Sequence, residues 1–198
     1  GLRYSFNHNQ NKYNETDIIN KCYDFKYNKI NDVMCTLNDG GNIYTLGHNY
    51  EGKITNNYLT KNNKTTYRGI YLDAGSSYMK VHDNLVLENK QFFFKLQGRL
   101  IYNAVSNDVY RNYSDTSEFD LTEGYDEYHS SNNLEQAILV DKNNLSPEAQ
   151  KIKDEAGLQN EYAHLKTGIE TPSYIRDYLK TTPKQLYHDS DLIECENM

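Results

Sequence analysis

The chain has no tryptophan, no CxxC pair, no block of basic residues and no apolar run of membrane length. Asp and Glu outnumber Lys and Arg by 28 to 21, so the formal net charge is −7 and nothing in the sequence draws in nucleic-acid phosphate. The longest apolar runs, AILV at 137–140 and FFFKL at 92–96, fall far short of the roughly 20 residues that a membrane helix needs. Cys22, Cys35 and Cys195 stand apart from one another and from any histidine at metal-ligand spacing, which argues against a zinc site. Buried free thiols are the expectation, with a Cys22–Cys35 disulfide as the alternative. The chain opens at Gly1 without a charged-then-apolar leader, as a mature or processed form would.

What the sequence has in abundance is tyrosine, 19 residues, together with asparagine and short β-branched runs. Aromatic residues make up 13% of a chain whose mean hydropathy is −0.90, and that content supports a folded core where polarity alone suggests disorder. A length of 198 residues is enough for one such core. Asn14, Asn63 and Asn112 each begin an N-x-S/T triplet, the pattern of a secreted glycoprotein, although an Asn-rich chain produces it by chance.

An internal repeat organises the first half. The pattern apolar-x-x-Asn-x-apolar occurs at 25–30, 54–59, 81–86 and, more weakly, 104–109, with Asn28, Asn57, Asn84 and Asn107 at spacings of 29, 27 and 23 residues. Tyr44, Tyr71 and Phe94 each precede an Asn of this series by 13 residues, so NIYTLG, GIYLDAG and FFFKLQG are equivalent segments. Strand-rich units of this length without helical periodicity predict a parallel β-solenoid, in which like residues of successive coils stack about 4.8 Å apart. Ile43, Ile70 and Phe93 are expected to stack inside, as are Ile54 and Val81. The asparagines are expected to form a ladder at a bend, where Asn tolerates left-handed backbone.

The repeat fades after residue 110. DTSEFDLTEGYDEY (115–128) reads as an acidic loop, and QAILV (136–140) as one more strand. SPEAQKIKDEAG (146–157) predicts a helix capped by Ser146, with Pro147 in its first turn and Gly157 at its end. A second short helix is expected over 172–183. The chain divides near residue 113 into coils (1–113) and a cap or tail (114–198), whose helix would cover the open end of the stack.

YNKINDVMCTLNDGGNIYTLG and GIYLDAGSSYMKVHDNLVLEN resemble the right-handed parallel β-helix proteins of pectin-lyase-like fold, and among these the carbohydrate-active members, many of them glycoside hydrolases. The resemblance spans roughly residues 1–160, with SPEAQKIKDEAGLQNEY matching the end of such proteins. It implies an all-β, right-handed parallel β-helix of about four coils with a short helical cap. It also implies a secreted or cell-surface protein whose partner is a polysaccharide. Such proteins have more coils and an N-terminal cap. The chain is therefore expected to be a C-terminal part, a truncated relative, or a chain completed by further coils or by self-association through the open coil edge.

Glycosidic hydrolysis commonly uses two carboxyl groups, one as acid and one as base or nucleophile. By resemblance the pair is Asp73 and Asp39, with Tyr44, Tyr71, His48 and Lys95 as substrate-binding groups. Asp39 also suits an Asx-type turn at Asp-Gly-Gly, and its position seven residues before the Asp73 register would lie about 23 Å away along a straight strand. His48 is either a proton shuttle or a loop histidine without a role. Lys95 as the base of a polysaccharide lyase is a further alternative, and Arg68 and Glu51 are other outward residues. Tyr44, Tyr71 and Tyr78 would stack on sugar rings or on one another. No metal is required. The acidic residues Asp115, Glu118, Asp120, Glu123 and Asp126 would be a Ca²⁺ site only in an unfamiliar spacing, and a solvated loop is their ordinary reading. A non-catalytic carbohydrate-binding or adhesive solenoid would keep the Gly, Ile and Asn positions and use both aspartates for turns and solubility.

Overall fold

The computed structural model describes residues 2–5, 23–33, 39–62, 68–89, 92–97, 104–121 and 131–167. The strands come in rungs of three. β1 (Leu2–Ser5), β2 (Asp24–Lys26) and β3 (Lys29–Val33) make the first, and β4 (Ile43–Leu46), β5 (Lys53–Thr55) and β6 (Tyr58–Asn62) the second. β7 (Arg68–Leu72), β8 (Lys80–His82) and β9 (Leu85–Leu87) follow, then β10 (Phe92–Leu96), β11 (Asp108–Tyr110) and β12 (Tyr113–Ser114). The last described rung is β13 (Phe119–Leu121), β14 (Asn133–Leu134) and β15 (Ile138–Leu139). Each strand pairs in parallel with the strand three places on, which gives three five-stranded sheets and a parallel β-solenoid.

The period-2 alternation of strand side chains sends alternate columns inward, and the inward columns are mostly apolar. Phe25, Ile54, Val81, Val109 and Leu134 form one. Ile30, Leu59, Val86, Ser114 and Leu139 form another. Ile43 stacks on Ile70, and Ile70 on Phe94. The repeat spacing predicts Phe93 in that place, and the structure moves the register by one residue. Phe93 nevertheless enters the same core, because it lies opposite Gly69, where a Cβ would come within 2.3 Å of Val86 Cγ1 and only glycine fits.

The asparagine ladder is present, with one change of membership. The backbone N–H and Nδ2 of Asn28 donate to Asn57 Oδ1, those of Asn57 to Asn84 Oδ1, and those of Asn84 to Asn112 Oδ1. Asn112, not Asn107, is the fourth member. Asn107 stands at a second corner, accepting from Met79 N–H and donating to Asn132 Oδ1. The left-handed residues are those just before the ladder, Tyr27, Asn56, Asp83 and Arg111, with φ of 56°, 54°, 54° and 52°. Two more left-handed columns, Glu51–Tyr78–Ser106 and Asp32–Lys61–Glu88, mark the other corners. Each such residue costs about 1–2 kcal/mol, and the asparagine amide bonds that follow the first column offset it there. Asn112 is only 1% exposed and its amide is fully engaged, so this N-x-S triplet offers no glycosylation site; Asn14, Asn63 and the three cysteines lie outside the described residues.

The sheets continue past residue 113, which itself lies in β12. β13 forms from the acidic segment read as a loop and pairs with β10, because Phe119 and Leu121 supply the alternation the core demands. The chain falls into two compact units, 1–157 and 158–198. In the first, helix α1 (Pro147–Glu155) starts at Ser146, whose hydroxyl accepts the Ala149 N–H, and ends before Gly157 at φ 89°. Its Ala149 and Ile152 pack on Leu85, Leu87 and Tyr113, the outward side of the third sheet. Gly157 N–H reaches the Tyr27 carbonyl. The helix thus straps the flank of the stack from the last rung to the first, and does not cover its end. The second unit has a 3₁₀ turn (Asn160–Tyr162) and helix α2 (His164–Thr167); the helix expected over 172–183 lies outside the described residues.

Candidate functional site

The outward face of the first sheet carries Tyr44, Tyr71, Asp73 and Lys95 of the predicted residues. Tyr44, Tyr71, Lys95 and Asp120 form one column. Lys95 is therefore level with the tyrosines, not with Thr45 and Leu72 as the repeat spacing suggests, the same one-residue change that exchanges Phe93 for Phe94. Asp73 follows Tyr71 after one inward residue, and Gln97 stands beside it in β10's continuation.

Tyr44 is the centre of this surface. Its hydroxyl donates to Asp73 Oδ2, and its ring meets Tyr71 edge to face at 5.0 Å. Asp73 Oδ1 accepts the Ala74 N–H at 2.7 Å, so both carboxylate oxygens are engaged and the residue is 8% exposed. The Tyr71 hydroxyl donates to Gln97 Oε1 at 2.8 Å. The Arg68 guanidinium lies 4.9 Å from the Tyr71 ring centroid and Lys95 Nζ 5.4 Å, while both cations also bind Asp120 Oδ2, at 3.0 and 2.8 Å. Tyr71 is only 2% exposed. Burial first, then the charges of Asp73 and Asp39, raise its pKa far above the ordinary phenol value, so it stays a neutral hydrogen-bond donor.

Asp39 is exposed, yet its charge acts on the Tyr71 phenol together with that of Asp73. His48 leaves this face: it bridges to Ser77 at the next corner, its ring edge on Tyr78 at 5.7 Å, and burial lowers its pKa. Tyr78 meets His48 and Tyr50, so stacking on neighbouring rings is its observed role.

Of the residues predicted for this face, Tyr44 stays partly exposed and Asp39 exposed, while Asp73, Tyr71 and Lys95 are buried. Spacing alone missed Gln97 and the Asp120 bridge; placing Phe94 opposite Ile70 would have found Gln97, whereas Asp120 comes from β13, in the segment read as a loop. It also missed a second outward cluster, where His82 stacks on Tyr110 at 4.8 Å and bonds Asp83 Oδ2 at 2.7 Å, and Arg111 clamps the same carboxylate. Burial works to raise the Asp83 pKa, but Arg111 and His82 more than offset it and hold it below its ordinary value. Among the described residues no group of three or more His, Cys, Asp or Glu is placed to hold a metal ion. Asp120 of the acidic segment is taken up by its two ion pairs, and Glu123 and Asp126 lie outside the described residues. No helix of the described residues is long and apolar enough to cross a membrane.

No protein-family profile, curated protein or solved structure matches the chain.

Proposed function

We propose that the chain is a polysaccharide-binding β-solenoid that holds glycan along the outward face of its first sheet, with Tyr44 as the ring against which a sugar stacks and Asp39 as a hydrogen-bonding carboxylate. The observation that supports it is the fixing of Tyr44 at two points, hydroxyl to Asp73 and ring edge to Tyr71, while the residue stays partly exposed. An aromatic ring locked in place loses little freedom on binding, and a sugar's apolar face gains contact with it. Affinity electrophoresis and a glycan array test this directly. Tyr44→Ala should weaken retention by about tenfold, roughly 1.4 kcal/mol, and Asp39→Asn by less. Absence of glycan retention by the parent chain would refute the proposal.

Cleavage is a second reading, favoured by the place of Asp73 on the outward face, where the Tyr44 hydroxyl holds its carboxylate. In it, one carboxyl protonates the leaving glycosidic oxygen, and the other activates water or attacks the sugar carbon itself. New reducing ends released by the parent chain and abolished by Asp73→Asn would establish it. Retention without release leaves binding alone.

A further inference from the structure

The two ends of the described stack carry complementary unfinished features. In the three steps from Asn28 to Asn112, a backbone N–H at the corner donates to the Oδ1 of the asparagine one rung on. On the first rung, Asn28 Oδ1 accepts no hydrogen bond among the described residues, since Asn28 acts only as donor. On the last rung the ladder position is Ala137, which follows from Ile138 N–H donating to the Asn112 carbonyl just as Tyr113 N–H donates to that of Asn84. Ala137 is 7% exposed and its N–H meets no acceptor among the described residues. A backbone N–H left without an acceptor at the end of a stack of strands is a ready pairing group for another chain.

The apolar columns stop in the same places. Leu139 continues the inward column of Ile30, Leu59, Val86 and Ser114 but is 64% exposed, and Leu121 continues that of Leu72 and Leu96 but is 36% exposed. Across the stack, Phe25 and Ile30 of the first rung are only partly buried against the core. What completes the last rung is a further parallel rung with apolar side chains in these columns and an asparagine acceptor at this corner. The first rung of this chain has that pattern.

We propose that copies of this chain stack head to tail, the last rung of one on the first rung of the next. Ala137 N–H donates to Asn28 Oδ1 of the neighbour, and Leu139 and Leu134 cover its Ile30 and Phe25. This surface is separate from the outward face that holds glycan, and the inference does not depend on that reading. The contact uses different patches on the two partners, so it leaves a free end at each addition and builds open-ended series.

Sedimentation velocity on the 198-residue chain tests it, with Leu139→Lys to block the last rung and Asn28→Ala to block the first. Leu139 is exposed and Asn28 lies at the end of its ladder, and unchanged circular dichroism would verify that each variant folds. The parent chain should form dimers, trimers and longer species as concentration rises. Each variant alone should remain a single chain, with association at least tenfold weaker, and an equimolar mixture of the two should form dimers and stop there. A parent chain that stays monomeric at its solubility limit would overturn the proposal. So would dimerisation of Asn28→Ala alone with none in the mixture beyond it, the pattern of two last rungs meeting face to face.

Discussion

At the scale of single residues, the corners decide the fold. Among the described residues ten non-glycine positions take left-handed backbone, and they fall into three columns that recur from rung to rung. The asparagines that follow are placed for their amides, which satisfy backbone and side-chain partners on adjoining rungs. The apolar-x-x-Asn-x-apolar pattern exposes this role for Asn28, Asn57 and Asn84. It selects Asn107 over Asn112 because Ser114, not an apolar residue, fills the last place of the true repeat, and a buried serine is invisible to a hydropathy pattern. His48 carries a pH prediction at this scale. Burial holds its folded-state pKa below the ordinary 6.5, so the unfolded chain binds its proton first. Its contribution to stability is complete above that value and is lost as pH falls through the folded pKa. Urea unfolding at about pH 7.5 and about pH 5.5 should show a larger loss for the parent chain than for His48→Phe. Equal losses would contradict the assignment.

Between single elements, the stack is held by ladders and by its strap. Ala137 interrupts the first ladder, leaving the N–H of Asn112 without an acceptor among the described residues. Ala137→Asn should restore the step and stabilise the chain by about 1 kcal/mol, raising Tm by about 3 °C in a thermal melt. A lowered Tm would mean that the corner has no room for the amide. The strap rests on Ile152, 5% exposed among Leu85, Leu87 and Tyr113, and Ile152→Ala should cost about 2–4 kcal/mol by urea denaturation. A loss below about 0.5 kcal/mol would show that the helix contributes little. Its bounds were readable in advance because Ser146, Pro147 and Gly157 are local signals. Its place on the flank was not, since Leu85 and Leu87 look like core residues until a register shows that only Val86 between them points inward.

For the molecule as a whole, a repeat in sequence became a repeat in space, and a one-residue error in phase exchanged Phe93 for Phe94 in the core and displaced Lys95 on the face. It set Lys95 beside Thr45 and Leu72, where the structure puts it over Tyr71 and against Asp120. Which residues face outward was readable from alternation. Which of them remain open to a ligand was not, because Arg68, Lys95 and Asp120 close over Tyr71 from three successive rungs. Everything from the ladder to the proposed glycan site depends on parallel rungs in this register. Hydrogen-bond scalar couplings measured by NMR report that register bond by bond. Couplings should link Leu85 N–H to the Asn57 carbonyl and Tyr113 N–H to the Asn84 carbonyl, the bonds of 2.9 and 2.8 Å that join successive rungs. Couplings that instead join neighbouring strands of residues 40–100 as antiparallel hairpins would contradict the solenoid and the site built on it.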